Sequence, residues 1–141
     1  IEGQRRFRRE ERERFQTLVA TRQVELEARA PATGEPVFFD RGLLDGLAYC
    51  RHFGITPPPA LIDAASTARY DAVLLLDPLS HFPDRPETGR TSDQATSLAL
   101  AAAIDAIYRE HAYVPVRVAE LPIDERADRA LALLRIEPRE R

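Results

Sequence analysis

The stretch Pro36-Val37-Phe38-Phe39-Asp40-Arg41-Gly42 decides how the rest of the chain is read. Three apolar residues end abruptly on a carboxylate, followed by an arginine and a glycine. A short apolar run bounded by turn residues predicts a buried strand. Pro31, Gly34 and Pro36 break the chain before it, and Gly42 permits a turn after it. Leu43 to Phe53 then predicts a helix. The expected strand therefore delivers Asp40 to its carboxyl end, just before that helix.

Downstream, Pro57-Pro58-Pro59 interrupts the chain and opens a helix over about Ala60 to Ala68. Ala72-Val73-Leu74-Leu75-Leu76 is the clearest strand. It is continuously apolar, as expected when helices cover both faces, and it ends at Asp77-Pro78. Ser80 to Arg90 is polar and contains Pro83, Pro86 and Gly89. A loop this long in a compact domain suggests a functional lid, over about residues 78–92. Thr91 with Gln94 is a capping-box pattern for a helix that reaches about His111. Val114 to Val118 predicts a third strand, although Pro115 brings no N–H to it. Leu121-Pro122 opens a last helix, with Asp124 and Glu125 favourably near its positive end. The tail from Glu137 to Arg141 is expected to fray.

Upstream, about Glu2 to Arg29 has helical periodicity. Phe15, Leu18, Val19 and Leu26 form one stripe among charges, and Arg6–Glu10 and Glu10–Arg14 are opposite charges four apart. Alternating strands and helices predict an α/β fold: a three-layer parallel sheet with helices on both faces, in one domain over residues 1–141. Ligands of such sheets bind at the carboxyl ends of the strands. Asp40-Arg41-Gly42, Asp77-Pro78 and the helix start after Glu120 are expected there.

Composition excludes several roles. The net charge is −3, and the arginines between Arg5 and Arg14 alternate with glutamates, so a solvated helix face is expected rather than a nucleic-acid site. No apolar run approaches the roughly 18 residues of a membrane span. A single cysteine, Cys50, allows no internal disulfide and fits a reducing, cytoplasmic setting. His52, His81 and His111 have no metal-ligand spacing. The chain contains no Met and opens on Ile1, which is expected of a piece that has lost an upstream segment.

Asp40 at a strand tip stands where Mg²⁺ or an attacking hydroxyl lies in phosphoryl transfer. Arg41 offers a planar fork to phosphate oxygens. The alternative is that Asp40 caps the next helix and Arg41 lies in solvent. Arg85 and Arg90 flank the Pro/Gly loop, where arginines can neutralise a transferring phosphoryl group; an ordinary solvated loop has the same spacing. Asp77 is a second candidate metal-associated acid, or simply the end of a strand. Asp45 and Tyr49 lie four apart and share a helix face. They either line a substrate pocket or sit as a surface acid and a half-buried tyrosine. Cys50 is expected to be inert core.

The block Pro36 to Gly42 followed by Asp45-Gly46-Leu47-Ala48-Tyr49 resembles AAA-type P-loop ATPases with a NadR/Ttd-like kinase domain. Phe15-Gln16, Gln23 and Glu27 fit the same pattern. So do Arg69-Tyr70-Asp71, Asp77-Pro78-Leu79, Gly89-Arg90-Thr91, and Leu121-Pro122 with Glu125-Arg126. The resemblance implies a kinase-like P-loop fold that binds ATP or GTP with Mg²⁺ and acts as an ATPase or small-molecule phosphotransferase. It puts Asp40 in the catalytic-acid position, Arg41 on a phosphate, and Arg90 with Arg85 in the lid. The chain departs from that family in one respect. It contains no Gly-x-x-x-x-Gly-Lys-Ser/Thr motif and no lysine, the groups that hold the β- and γ-phosphates. The resemblance also implies a first strand between those ending at Asp40 and Asp77. Without it, an exposed sheet edge predicts either impaired nucleotide binding or a non-catalytic module that self-associates.

Overall fold

A leucine-rich run becomes a strand only where a second backbone accepts its hydrogen bonds. Leu74–Leu76 (β1) finds that partner in Val116–Val118 (β2), and the two run parallel with Leu74 opposite Val116 and Leu76 opposite Val118. The ladder extends at both ends: the Val116 N–H donates to the Val73 carbonyl at 2.8 Å, and the Asp77 N–H to the Val118 carbonyl at 2.9 Å. The computed structural model describes residues 9–31, 34–80 and 94–135. They fall into two compact units divided between Arg69 and Tyr70.

The first unit packs three helices against one another: α1 (Arg9–Ala28), α2 (Leu43–Phe53) and α3 (Pro59–Thr67). Its core is Ala20, Leu43, Leu44, Ala48, Cys50, Ile55, Leu61 and Ala65. Gly46 sets the distance between α2 and α3, because a Cβ there would lie 3.0 Å from Leu61 Cδ2. Gly54 ends α2 at φ 63°, a left-handed turn that glycine adopts without steric cost, and it lets the Ile55 N–H reach the Cys50 carbonyl at 2.8 Å. Pro58 and Pro59 start α3, where a missing N–H costs nothing.

The second unit holds β1, α4 (Gln94–Glu110), β2 and α5 (Ile123–Leu134), with α5 packed on β2. Val118 is fully buried, and Ile107, Tyr108 and Val73 complete the interior. Tyr70, Tyr108 and Tyr113 cluster with ring centroids 5.7–6.4 Å apart, and the Tyr70 N–H donates to the Tyr113 hydroxyl at 3.3 Å.

The α/β class and the parallel pairing agree with the expectation from the sequence. Among the described residues the sheet has two strands, where the sequence predicts three. Val37-Phe38-Phe39 is not the buried strand predicted for it. It belongs to neither strand, and Phe38 is 60% exposed. Apolar composition makes a strand favourable to bury, but only a ladder makes it a strand. β1 is also less covered than its composition suggests, because Leu76 is 58% exposed.

Helix α1 shows a second difference. Its apolar stripe, Phe15, Leu18, Val19 and Leu26, faces outward, with Leu18 68% exposed. The inward residues Gln16 and Ala20 are buried instead. No helix among the described residues is long and apolar enough to cross a membrane. The N-terminal start of the expected first helix, most of the expected lid, the Thr91 cap and the charged tail lie outside the described residues.

Two measurements follow. Leu61→Ala should lower stability by about 2–5 kcal/mol in chemical denaturation, the usual cost of emptying a filled leucine site. Burial pushes the Cys50 thiol pKa up. Its neutral form is therefore favoured by folding. That contribution is full below the unfolded thiol pKa and is lost as pH rises through the higher folded value. Stability at alkaline pH should fall less steeply in Cys50→Ala than in the parent chain.

Candidate functional site

The Asp40-Arg41-Gly42 turn lies in the first unit, immediately before α2. Arg41 has φ 73°, a left-handed backbone that costs a non-glycine residue about 1–2 kcal/mol. Three contacts hold the turn. The Gln23 side-chain nitrogen on α1 donates to the Arg41 carbonyl at 2.7 Å. The Gly42 N–H donates to Asp45 Oδ2 at 3.0 Å, while the Asp45 N–H returns a bond to the Gly42 carbonyl at 3.1 Å. Arg41 Nη1 donates to the Tyr49 hydroxyl, and the guanidinium carbon lies 5.0 Å from the Tyr49 ring centroid. At about 0.5–1.5 kcal/mol net for each hydrogen bond, the set offsets the backbone cost.

The sequence leaves two alternatives for this turn, and the geometry answers both in part. Gly42, not Asp40, occupies the N-cap of α2. Asp45 supplies the carboxylate that satisfies the turn's N–H, the usual role of an acid at the third helical position. Arg41 is exposed, as the alternative expects, but its guanidinium rests on Tyr49. Desolvation lowers the Arg41 pKa, but the hydrogen bond to Tyr49 and the charges of Tyr49, Asp45 and Asp40 outweigh it. The net shift is upward, and the group stays cationic. Asp40 is exposed and makes no hydrogen bond or ion pair among the described residues. It does not stand at the tip of a buried strand, because Val37-Phe38-Phe39 is exposed and is not a strand.

Gln23 has the one long-range role here that sequence reasoning missed. Its spacing to Glu27 was visible, and the two do bond, at 2.8 Å across one helical turn. Its bond to a residue eighteen positions away had no local signal.

Asp77 belongs to the second unit, at the carboxyl ends of β1 and β2. Arg117 takes its Oδ1 at 2.6 and 2.9 Å, in a half-exposed ion pair worth about 0–1 kcal/mol. Arg126 Nη2 donates to the carbonyls of Asp77, at 2.5 Å, and Val118, at 3.3 Å. Its Nε is buried without a partner among the described residues. Glu120 accepts from the Ser80 N–H at 2.9 Å and from the Ser80 hydroxyl at 3.1 Å. Arg117, Arg126, Glu120 and Ser80 thus tie the two strand ends together, through pairs forty or more residues apart that no local pattern announced.

Arg85 and Arg90 lie outside the described residues. Among the described residues, no three carboxylate, imidazole or thiol groups gather as a cation cage. Magnesium does not require such a cage. It is usually held by one or two carboxylates together with phosphate oxygens and water, so a lone exposed Asp40 fits that donor set.

A family model described as an AAA domain matches residues 2–126. No curated protein and no solved structure matches the chain.

Asp45→Ala should cost about 1 kcal/mol of stability, the typical loss on removing a capping acceptor, and Asp45→Asn, which keeps an acceptor oxygen, should cost less. Thermal or urea unfolding of the two variants checks this.

Proposed function

The chain belongs to the AAA domain family, a family of P-loop NTPases, and on that premise we propose that its chemistry is transfer or hydrolysis of the γ-phosphate of ATP or GTP. A small molecule is the acceptor where the reaction is a transfer. One observation carries the reading: Asp40 presents an exposed carboxylate with no hydrogen bond or ion pair among the described residues, close enough to Arg41 for its charge to act on a guanidinium held on Tyr49. In this reading Asp40 positions Mg²⁺ or accepts the proton of an attacking hydroxyl. Arg41 steadies phosphate charge, because its cation is oriented before the substrate arrives and needs no rearrangement. Bound Mg²⁺ would supply neutralisation of the phosphate oxygens.

Arg85 and Arg90 are proposed as lid charges, and Tyr49 with Asp45 as the wall of the acceptor pocket. Asp77 is the weaker candidate for a second metal-associated acid, because Arg117 already engages one of its oxygens. The 141 residues include no phosphate-loop motif. The chain alone is therefore proposed to bind nucleotide weakly, and a protein that also carries such a loop to bind it fully. A cytoplasmic setting fits the single buried thiol.

Exposed apolar surface supports a second reading. Phe15 and Leu18 on α1, and Phe38 before the site, are each at least 60% exposed. Such surface favours a non-catalytic module that self-associates.

Two experiments separate these readings. In the protein carrying the phosphate loop, Asp40→Asn should abolish Mg²⁺-dependent nucleotide turnover while leaving the melting transition in place; normal turnover would reject the role given to Asp40. Sedimentation of the 141-residue chain should give a monomer under the first reading and a concentration-dependent dimer or larger species under the second.

A further inference from the structure

We infer that Gln23 is a positioning residue for the candidate site: its side-chain amide holds the Arg41 peptide in its left-handed conformation and so sets the directions in which Asp40 and Arg41 present their charges. The inference rests on reading Asp40 and Arg41 as the phosphate-facing pair, and it adds the group that aligns them.

The argument starts from donor counting. A glutamine amide nitrogen carries two hydrogens. One goes to Glu27 Oε1 at 2.8 Å and the other to the Arg41 carbonyl at 2.7 Å. Both partners are pure acceptors, so the nitrogen and not the oxygen must face them, and the orientation of the amide is fixed by chemistry. Glu27 lies one turn along the same helix, so its bond pins the amide to α1. The second hydrogen then points at a backbone carbonyl from a rigid base.

Arg41 needs such a hold. Its φ of 73° is uncommon for any residue with a Cβ, and a side chain as long as arginine gives no local compensation of the kind asparagine supplies. Relaxation to negative φ would rotate the Asp40–Arg41 peptide. It would also turn the Arg41 side chain away from the Tyr49 ring on which the guanidinium now lies. The Asp45 bond holds the N–H of Gly42, which lies in the same planar peptide unit as the Arg41 carbonyl, so Asp45 from α2 and Gln23 from α1 grip that one plane at its two polar groups. The Tyr49 bond acts at the end of a flexible side chain. Gln23 is the contact that acts on the Arg41 carbonyl itself.

The test reads backbone geometry rather than turnover, so its failure is distinct from failure of the phosphoryl-transfer reading. In the isotopically labelled 141-residue chain, a left-handed Arg41 gives a strong intraresidue amide–Hα nuclear Overhauser effect, because the two protons are close at positive φ. Gln23→Leu keeps bulk and removes the donor. Arg41 should then lose the strong signal several-fold, to the level of its neighbours, while the methyl shifts of Leu61 and Ala65 stay in place. Gln23→Lys keeps a donor of similar reach and should retain the signal. A strong Arg41 signal in Gln23→Leu overturns the inference. So does its loss in both variants, which would assign the effect to packing. If Gln23→Leu does not fold, Gln23→Asn, whose amide is one methylene too short, takes its place with the same two outcomes.

Discussion

The Arg41 backbone sits at a positive φ because neighbours on two helices hold it there, and the geometry of the candidate site depends on that restraint. A free chain would rarely adopt it. Strain of this kind persists only where the surroundings over-determine the conformation. Here Gln23 fixes the carbonyl, Asp45 fixes the following N–H, and Tyr49 carries the guanidinium. Each of the three reaches the turn from a helix, so the packing of α1 and α2 becomes the orientation of two charged groups.

That packing is unusual in the face α1 turns inward. Ala20 permits close approach, and Gln16 and Gln23 bring polar groups to the same side, while the bulky stripe lies outside. The arrangement exchanges apolar burial for the hydrogen bonds that hold the site. The cost is visible as exposed phenylalanine and leucine, the surface on which the self-association reading stands. The second unit uses the same device in another form. Arg126 bonds two carbonyls at the ends of β1 and β2, and Arg117 and Glu120 bond the side chain of Asp77 and the backbone of Ser80. Long polar side chains tie together chain ends that two short strands alone would hold weakly.

Much of the fold was legible because local rules governed it. The span Leu43–Phe53 was expected for α2 after the turn at Gly42, the start of α3 followed from the proline triplet, and the start of α5 from Pro122. β1 and β2 were legible as β-branched and leucine runs, each shorter than expected, with Pro115 explaining why β2 begins at Val116. Val37-Phe38-Phe39 was misread for a physical reason: hydropathy reports what a segment would gain by burial and says nothing of whether a neighbouring strand exists. Asp45 and Tyr49, four apart on α2, both reach the turn that carries Asp40 and Arg41. Asp45 turned out to satisfy a backbone donor there.

By itself the sequence determined both ends of α2, the starts of α3 and α5, the α/β class and the membership of a P-loop family. All of these rest on interactions within a few residues, or on an ordered pattern of them, and such interactions are written in consecutive letters. Tertiary structure alone decided which face of α1 turns inward, that Gln23 reaches Arg41, and that Asp77 pairs with Arg117. Those outcomes join residues eighteen to forty positions apart, and they depend on how helices and strands meet in space. Hydrogen bonds are short and directional, so a contact between distant letters exists only after packing has brought its two ends within about 3 Å.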